Sequence, residues 1–250
     1  MEPQFYKGNR DAFMEKLAPG SLALFFSGVP VRKTADEDYA YFANRNFVYL
    51  TGMEQKDTIL MLEKDASGYR ETLFILPPNL IEERWTGARM KPEEIEAASM
   101  ISNFAYRDTF EEELKKVLAS GRIEKVYLDI DRMDGQVVVS GADSMETFLK
   151  QEYPNLLIEN SLPILKKLRL IKKPCEIRAM EKAQEITKAG ILAMMTHSKP
   201  GMYEYQYKAE YDYALAQHGV LEAGFPSIIS AGKNNFCIHY YGYRGQAMDG

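Results

Sequence analysis

Apolar residues in the first part of the chain form short continuous runs that are separated by turn residues. The run over residues 22–26 ends at Ser27 and Gly28, which predicts a buried strand. Residues 58–63 and 71–76 are two further strand-like runs on either side of a turn-rich segment. Because both runs have strand length and the link between them is short, they predict an antiparallel hairpin.

Between and after these runs, apolar residues recur at helical spacing. Helices are predicted over residues 9–17, from Pro92 onward, over 110–119 and over 144–152, and further strands over 126–130 and 156–158. Strands that alternate with helices after an opening hairpin predict an α/β (α+β) domain, in which helices cover a mixed sheet. We place the end of this first domain near residue 160.

From residue 161 onward the pattern changes to long helices. The basic run over residues 165–173 predicts a strand or a short helix with a solvated face, and Pro174 opens a long helix that breaks at 198–201. A second helix is predicted over residues 203–218. Residues 227–230 and 236–241 then read as a hairpin around 231–235, with His239 near its base. One face of the long helix carries Ile177, Met180, Thr187, Ile191, Met194 and Met195.

Composition limits the functions that the chain can have. With 46% apolar residues it can bury a substantial core, and a net charge of −5 with a pI near 5.4 argues against a nucleic-acid surface. No apolar stretch has the length of a signal peptide core or a membrane span, so we expect a soluble cytoplasmic protein without a membrane partner. Cys175 and Cys237 form neither a zinc motif nor a secretory disulfide pattern, and we expect both to be reduced and structural.

Residue types alone indicate little catalytic chemistry. The sequence has three histidines, and His197 and His218 lie near predicted helix ends, where a cation is favoured. The third, His239, reads most simply as a half-buried strand residue. There is no metalloprotease H-E-x-x-H motif, nucleophile elbow, P-loop or dinucleotide fingerprint in a suitable context. The residue types alone therefore predict a two-domain α/β protein and do not indicate its function.

Several short motifs, taken together and in order, change this interpretation. They are the lead-in from Leu168 through Pro174 to Ile177, then Lys199-Pro200-Gly201-Met202-x-Glu204, Gln217-His218-Gly219, Ser230-x-Gly232-x-Asn234 and Ile238-His239-Tyr240. In these motifs the chain resembles the Xaa-Pro aminopeptidases (aminopeptidase P) of the creatinase/prolidase M24 metallopeptidases. The resemblance implies a ribonuclease H-like creatinase-N domain over residues 1–160. It also implies the first part of a pita-bread metallopeptidase domain over residues 161–250.

The resemblance also implies a metal centre. Members of this family bind two metal ions, usually Mn²⁺, through two aspartates, a histidine and two glutamates, all of which follow the hairpin that carries the equivalent of His239. This sequence ends before the first of those ligands, so we expect no metal ligand within it. We therefore expect the front half of an enzyme, inactive by itself, whose remaining apolar faces would be exposed.

Roles for individual residues follow from the resemblance alone. His239 matches the histidine that lies beside the scissile bond and helps to stabilise the tetrahedral intermediate, with Tyr240 next to it. Asp36, Trp85 and Arg89 lie in segments that reach the active site of a neighbouring subunit in oligomeric relatives. The implied substrates are peptides with proline in the second position, and the implied assembly is a homodimer or homotetramer.

Two departures from the family pattern affect these expectations. Many relatives carry threonine or serine where this chain has Tyr203, so the cap of the second helix must come from elsewhere. Tyr241-Gly242-Tyr243 replaces a common Thr-Glu-Asn sequence, which leaves the substrate preference open. Three alternatives to an aminopeptidase also stay open. They are a prolidase that cuts only dipeptides, a pita-bread module that binds peptides or acts as a chaperone without catalysis, and a regulatory or assembly subunit.

Overall fold

The computed structural model describes residues 1–132, 134–135 and 139–249. The chain divides into two compact units, Met1–Ile171 and a second unit that begins at Lys172. The first unit therefore extends beyond residue 160, where the sequence placed the domain boundary. The extension is the helix Leu162–Leu170, which belongs to the first unit because Leu165 is fully buried in its core.

A six-stranded mixed sheet forms the centre of the first unit. The strands described in this unit are β1 (Ser21–Phe26), β2 (Arg32–Thr34), β3 (Glu37–Asp38), β4 (Ile59–Lys64), β5 (Tyr69–Ile75), β6 (Phe104–Tyr106), β7 (Lys125–Leu128) and β8 (Leu157–Asn160). The sheet order is β6-β5-β4-β1-β7-β8, and β2 and β3 pair separately. β1 is antiparallel to β4 and parallel to β7, β4 is antiparallel to β5, and the outer pairs β5–β6 and β7–β8 are parallel.

Strand β1 is apolar from Leu22 to Phe26, as is typical of a strand that is buried on both faces of its sheet. Successive side chains of a strand point to opposite faces. Ala23 and Phe25 accordingly belong to one core cluster, whereas Leu22 and Leu24 belong to the other. The continuous apolar run that predicted a buried strand is thus explained by two apolar layers, one on each side of β1.

Helices cover both faces of this sheet. Those described in the first unit are α1 (Pro3–Met14), α2 (Arg45–Thr51), α3 (Leu80–Thr86), α4 (Pro92–Ser99), α5 (Phe110–Ala119), α6 (Gly141–Glu152) and α7 (Leu162–Leu170). Side chains from α1, α2, α4 and α7 complete the cluster that contains Phe25, and side chains from α5 and α6 complete the one that contains Leu24. The predicted mixed sheet covered by helices is confirmed.

Most sequence-based elements of the first unit are confirmed, and their ends differ by a few residues. The hairpin forms as β4 and β5, and α5 has the predicted bounds. The first helix, α1, begins and ends earlier in the sequence than the predicted range of residues 9–17. It begins at Pro3, where a proline costs no hydrogen bond because the first helical N–H groups have no intrahelical partner, and it ends at Met14 instead of Leu17. The basic run forms the short helix α7 and not a strand.

The second unit contains two helices, α8 (Pro174–His197) and α9 (Glu204–Gln217), as predicted. They pack closely where α8 has Gly190, because a Cβ at that position would lie 2.5 Å from Cδ2 of Tyr211 on α9. Met180, Leu192 and Met195 of α8 are exposed, which agrees with the expected apolar surface. None of the helices over the described residues has the length and apolar content that crossing a membrane requires.

The predicted C-terminal hairpin is wrong for the described residues. Residues 232–236 form a 3₁₀ turn instead, closed by hydrogen bonds from the main-chain N–H of Asn234 to Ala231 O and of Cys237 to Asn234 O. No strand forms over residues 227–230 or 236–241 in the part of the chain that the structure describes. The residue pattern was suited to a strand, but a strand needs a neighbour to satisfy its main-chain groups, and within the described second unit none pairs with it.

Candidate functional site

The candidate site is built around a buried carboxylate at the start of α9. Glu204 is the first residue of α9, and its side chain is 0% exposed. Its Oε1 accepts hydrogen bonds from Ala231 N at 2.7 Å and from Asn234 Nδ2 at 2.9 Å, and its Oε2 accepts one from Gly245 N at 2.8 Å. One carboxylate therefore binds both ends of the segment over residues 231–245.

Asn234 and Tyr240 extend this network toward His239. Besides its bond to Glu204, Asn234 Nδ2 donates to Tyr240 Oη at 3.0 Å. Tyr240 Oη also accepts from Arg244 N at 3.2 Å. The residue that follows His239 in the chain is therefore held by its side chain inside the Glu204 network.

The same segment caps α9. The main-chain N–H of Glu204 donates to Gly245 O at 2.9 Å, and that of Tyr205 donates to Tyr243 O at 3.1 Å. The Gln206 side chain accepts from Tyr203 N at 2.8 Å. These bonds satisfy N–H groups that a helix cannot pair internally. The expectation that the cap comes from elsewhere than Tyr203 is confirmed, since two of the acceptors are carbonyl groups more than thirty residues away in the sequence.

Further pairing fixes the chain on the far side of the network. Gly201 N donates to Ala247 O at 2.7 Å, and Ala247 N donates to Met202 O at 2.8 Å. The Gln246 side chain adds a bond from Nε2 to Gly201 O at 2.7 Å. The segment before α9 and the segment after His239 are thereby joined through several main-chain groups.

Gly245 is required by the close approach of the carboxylate. A Cβ at this position would lie 2.3 Å from Glu204 Oε1 and 2.5 Å from Asn234 Nδ2, distances that real Cβ atoms do not adopt. Any side chain at residue 245 would therefore displace the carboxylate or the Asn234 amide. The glycine serves here to admit a neighbouring side chain, and not to supply an unusual backbone angle.

The hydrogen bonds keep Glu204 charged. Burial by itself raises the pKa of this carboxyl, but hydrogen bonds from Asn234, Gly245 N, Tyr240 and Ala231 N outweigh burial and lower the pKa below its ordinary value. The position at the N-terminus of α9 favours the same charge. Glu204 is therefore a carboxylate at neutral pH, with N–H groups directed at both of its oxygens.

His239 is exposed beside this network. Its ring lies 6.3 Å from the ring of Tyr241, with an angle of 24° between the two planes. Within the residues that the structure describes, no hydrogen bond to the imidazole is found. The half-buried strand position that the residues alone suggested for His239 does not occur. Its ring nitrogens are open to a ligand, while the adjacent main chain is held at Tyr240.

The remaining predicted site residues lie in the first unit. Arg89 contacts the carbonyl of Pro77 and the carboxylate of Glu82, and it lines a groove of about 510 Å³. Tyr39 and Tyr41, which follow Asp36 closely in the sequence, line the same groove. Asp36 is exposed next to β3, and Trp85 on α3 is 84% exposed; neither side chain lines the groove.

The other histidines and the cysteines have simpler surroundings. His197 Nδ1 lies 2.6 Å from Glu210 Oε2, which links the end of α8 to α9, and His218 is the residue at the C-terminal end of α9. Both positions agree with the interpretation as helix-end residues. Cys175 and Cys237 are free, but Cys237 is exposed and so does not have the structural role that we expected.

Sequence reasoning did not give Glu204 or Gly245 a role. Glu204 was part of a quoted motif, but an acidic residue in the first turn of a helix is already explained by the helix dipole. Its burial and its three N–H donors come from segments about thirty and forty residues later in the sequence. The only available signal was that the motifs around residues 199–204, 230–234 and 238–240 occur together, and the structure brings all three to one network.

Two family models match this chain. The model described as aminopeptidase P, N-terminal domain, matches residues 6–127, and the model described as metallopeptidase family M24 matches residues 178–249. Together they cover most of the first unit and nearly all of the second. Residues 128–177 lie between the two matches and include α6, β8, α7 and the beginning of α8.

Individual proteins agree with these matches. The Xaa-Pro aminopeptidase of Escherichia coli is 27% identical over 252 residues, which is 99% of this chain and 56% of that protein. A solved structure described as an aminopeptidase P candidate from Bacillus anthracis matches with a TM-score of 0.94 at 30% identity. The match covers 99% of this chain and 59% of the Bacillus chain. Zinc-substituted E. coli aminopeptidase P in complex with product matches with a TM-score of 0.85 at 26% identity. That match covers 100% of this chain and 57% of the E. coli chain. This chain thus spans about half the length of the relatives that it matches.

Proposed function

Because this chain belongs to the aminopeptidase P family of M24 metallopeptidases, we propose that it contributes to a metal-dependent Xaa-Pro aminopeptidase. This enzyme removes the first residue from peptides that have proline in the second position. The observation that carries the proposal is the convergence of three family motifs on Glu204. Their network presents an exposed histidine on an anchored segment.

In this proposal His239 contacts the substrate. An imidazole N–H at this point donates a hydrogen bond to the carbonyl oxygen of the scissile bond, and the bond strengthens as negative charge develops on that oxygen. The exposed ring and the absence of a hydrogen-bond partner among the described residues support this role. Histidine suits the task because both of its forms are accessible near neutral pH. Tyr240 supports the segment through its phenol.

A second group of proposed contacts comes from the first unit of a neighbouring subunit. Asp36 meets the amino group of the peptide, Trp85 forms a wall of the pocket, and Arg89 lines a groove of the same unit. The exposure of Asp36 and Trp85 supports roles in which another surface covers them. The presence of Tyr39, Tyr41 and Arg89 in one groove supports a shared binding surface. We include a homodimer or homotetramer and a cytoplasmic location in the proposal.

We assign no metal ligand to the residues described here. Over these residues there is no group of three or more histidine, cysteine, aspartate or glutamate side chains that could hold an ion. The family implies two ions, which we propose to be Mn²⁺, and their ligands are then to be sought outside the described residues. No step of the proposed role of His239 depends on them.

The test is an assay of the protein expressed from its complete gene. We expect manganese-dependent release of the first residue from an Xaa-Pro-Pro tripeptide and none from the matching Xaa-Ala-Pro peptide. Replacement of His239 by alanine is expected to lower kcat by about 10²–10³-fold, the usual loss for an oxyanion donor. His218→Ala is the matched control, since His218 lies at the end of α9, and it is expected to retain activity.

The other outcomes separate the alternatives. Turnover of Xaa-Pro dipeptides alone would replace the proposal with a prolidase, and tight peptide binding without turnover would replace it with a binding module. Full activity of His239→Ala would remove the substrate role of this residue. For the 250-residue chain by itself we expect neither turnover nor stoichiometric metal, and metal-dependent turnover there would contradict the assignment of the metal site.

A further inference from the structure

We propose that Glu204 is a positioning residue for His239, so that its buried carboxylate sets where the imidazole meets the substrate. The proposal rests on the function proposed above for His239. It goes beyond that function by assigning a role to a residue which itself has no contact with solvent. Glu204 acts through Asn234, Tyr240 and Gly245, and not by touching the peptide.

The carboxylate of Glu204 joins the two ends of the segment that contains His239. Ala231 and Gly245 lie on opposite sides of His239 in the sequence, and both of their main-chain N–H groups donate to the same carboxylate, at 2.7 and 2.8 Å. Residues 231–245 are thereby closed into a loop whose two ends meet at one side chain. Movement of that carboxylate would move both ends of the loop.

Asn234 and Tyr240 link Glu204 to the main chain next to His239. Within the described residues no hydrogen bond orients the imidazole, so its position depends on the main chain of residues 238–241 and on the Tyr241 ring stacked beside it. Tyr240 fixes that main chain, because its hydroxyl accepts from Asn234 Nδ2 at 3.0 Å and Asn234 in turn donates to Glu204. The path from Glu204 to the residue next to His239 thus consists of two hydrogen bonds.

The arrangement of donors around Glu204 requires a carboxylate at this position. Three N–H donors point at its two oxygens, and a carboxylate offers acceptors only. A glutamine of nearly the same shape would turn an NH₂ group toward at least one of these donors, whichever way its amide is rotated. Gly245 keeps the space that this packing needs, since a Cβ there would lie 2.3 Å from Oε1.

A purely structural role is the main alternative. Glu204 also stands at the start of α9, and the loss of a helix cap would destabilise the whole unit without a specific effect on His239. The two roles differ in which histidine environments change when Glu204 is replaced. A positioning role affects His239 while His197 and His218 keep their environments, whereas a structural role affects all three together.

The first measurement uses isotope-labelled histidine in the 250-residue chain. Nuclear magnetic resonance of its three imidazoles is recorded over a pH range for the wild type, Glu204→Gln and Asn234→Ala. We expect both variants to shift the His239 signals and to leave the His197 and His218 signals unchanged. Asp212→Asn is the matched control because it also removes a carboxylate from α9, one that pairs with Lys208 at the surface.

The second measurement uses the protein expressed from its complete gene. Glu204→Gln is expected to lower kcat/KM by about 10–100-fold, as small misplacements of catalytic groups do, and to move the midpoint of its pH profile. Partial unfolding would scale that profile without moving it. Asn234→Ala, which leaves the carboxylate in place, is expected to have a smaller effect in the same direction.

The outcomes decide between the claims. Unchanged His239 signals in Glu204→Gln, or equal changes at all three histidines, would overturn the positioning role. If the wild-type protein does not cleave Xaa-Pro peptides, the function proposed for His239 fails. The resonance data then still show whether Glu204 sets the position of the imidazole.

Discussion

The two compact units are stabilised in different ways. In the first unit, apolar side chains fill both faces of a sheet, and the central strand β1 is buried almost entirely. In the second unit, α8 carries exposed apolar residues along its length, and the charged Glu204 is 0% exposed, less than the buried Leu215 at 5%. The hydrophobic effect therefore accounts for the first unit, whereas directional hydrogen bonds define the part of the second unit that presents His239.

Each unit also buries a carboxyl group, and the pKa values of the two groups are shifted in opposite directions. Asp129 follows β7 and is 7% exposed. Burial raises its pKa and the nearby Asp131 adds to the rise, while hydrogen bonds from Asn46 and Asn44 and the charge of Arg169 oppose it. Glu204 has a lowered pKa because main-chain N–H groups donate to it in addition to side chains. The pKa of each group thus follows the balance between burial, which raises it, and hydrogen-bond donors, which lower it.

The largest expected effect tests the difference in packing. Leu60 on β4 is 0% exposed and Leu192 on α8 is 50% exposed. Leu60→Ala is expected to lower the free energy of unfolding by about 2–5 kcal/mol, because it leaves a cavity in a filled core. Leu192→Ala is expected to change it by less than about 0.5 kcal/mol. Urea unfolding followed by circular dichroism measures both.

The two variants make the same chemical change, one at a buried strand position and one at an exposed helix position. A loss for Leu192→Ala that is close to the loss for Leu60→Ala would mean that the exposed face of α8 is covered in solution. Repeating the measurement over a range of protein concentrations shows whether a second copy provides the cover, because self-association depends on concentration.

The same contrast explains what the sequence was able to predict. β1, the β4–β5 hairpin and α5 follow from apolar spacing, because each buries its own apolar pattern against the sheet. The C-terminal segment has a comparable pattern, but its conformation depends on Glu204 and on partners distant in sequence, which periodicity cannot reveal. His239 was identified from its motif, whereas Glu204 and Gly245 were missed because their role depends on distances between segments.

The second prediction concerns the pH dependence of the second unit. Because the folded pKa of Glu204 is lowered, its ionised form stabilises the folded state above the ordinary glutamate value of about 4.3, and this stabilisation is lost as the pH falls through the folded pKa. Glu204→Gln is expected to cost about 1–3 kcal/mol at pH 7, the cost of leaving buried N–H groups unpaired. The difference from the wild type should shrink toward pH 3. Hydrogen exchange of the α9 amides measures the opening free energy at each pH. A cost that is constant from pH 3 to pH 7 would contradict the ionisation of Glu204.

The third prediction has the opposite sign and concerns the first unit. The folded pKa of Asp129 is raised, so the folded state binds more protons than the unfolded state above the ordinary aspartate value of about 3.9. Stability from this group is complete below that pH and falls as the pH rises through the folded pKa. The wild type should therefore lose stability relative to Asp129→Asn as the pH rises above about 4, by about 1.4 kcal/mol for each unit of pKa difference. Urea unfolding at several pH values measures the difference between the two proteins. A gain for the wild type over this range would mean that hydrogen bonds from Asn46 outweigh burial.

The smallest expected effect on stability is at Trp85. Its side chain is 84% exposed on α3, so Trp85→Ala is expected to change the free energy of unfolding by less than about 0.5 kcal/mol. In the protein expressed from its complete gene, we expect the same change to raise KM for an Xaa-Pro-Pro peptide by roughly 2–10-fold, the contribution of one aromatic contact. Leu80→Ala is the matched control, since Leu80 is an apolar residue of the same helix and is 78% exposed.

The assembly state is measured by sedimentation in the same samples, because Trp85 has two proposed surroundings. A raised KM with unchanged assembly supports a pocket wall, and a raised KM that accompanies dissociation supports a subunit contact. Unchanged KM and unchanged assembly would remove both roles. In that case the functional contrast between the units would become complete. The first unit would supply the scaffold, and recognition of the substrate would rest on the segment that Glu204 anchors in the second.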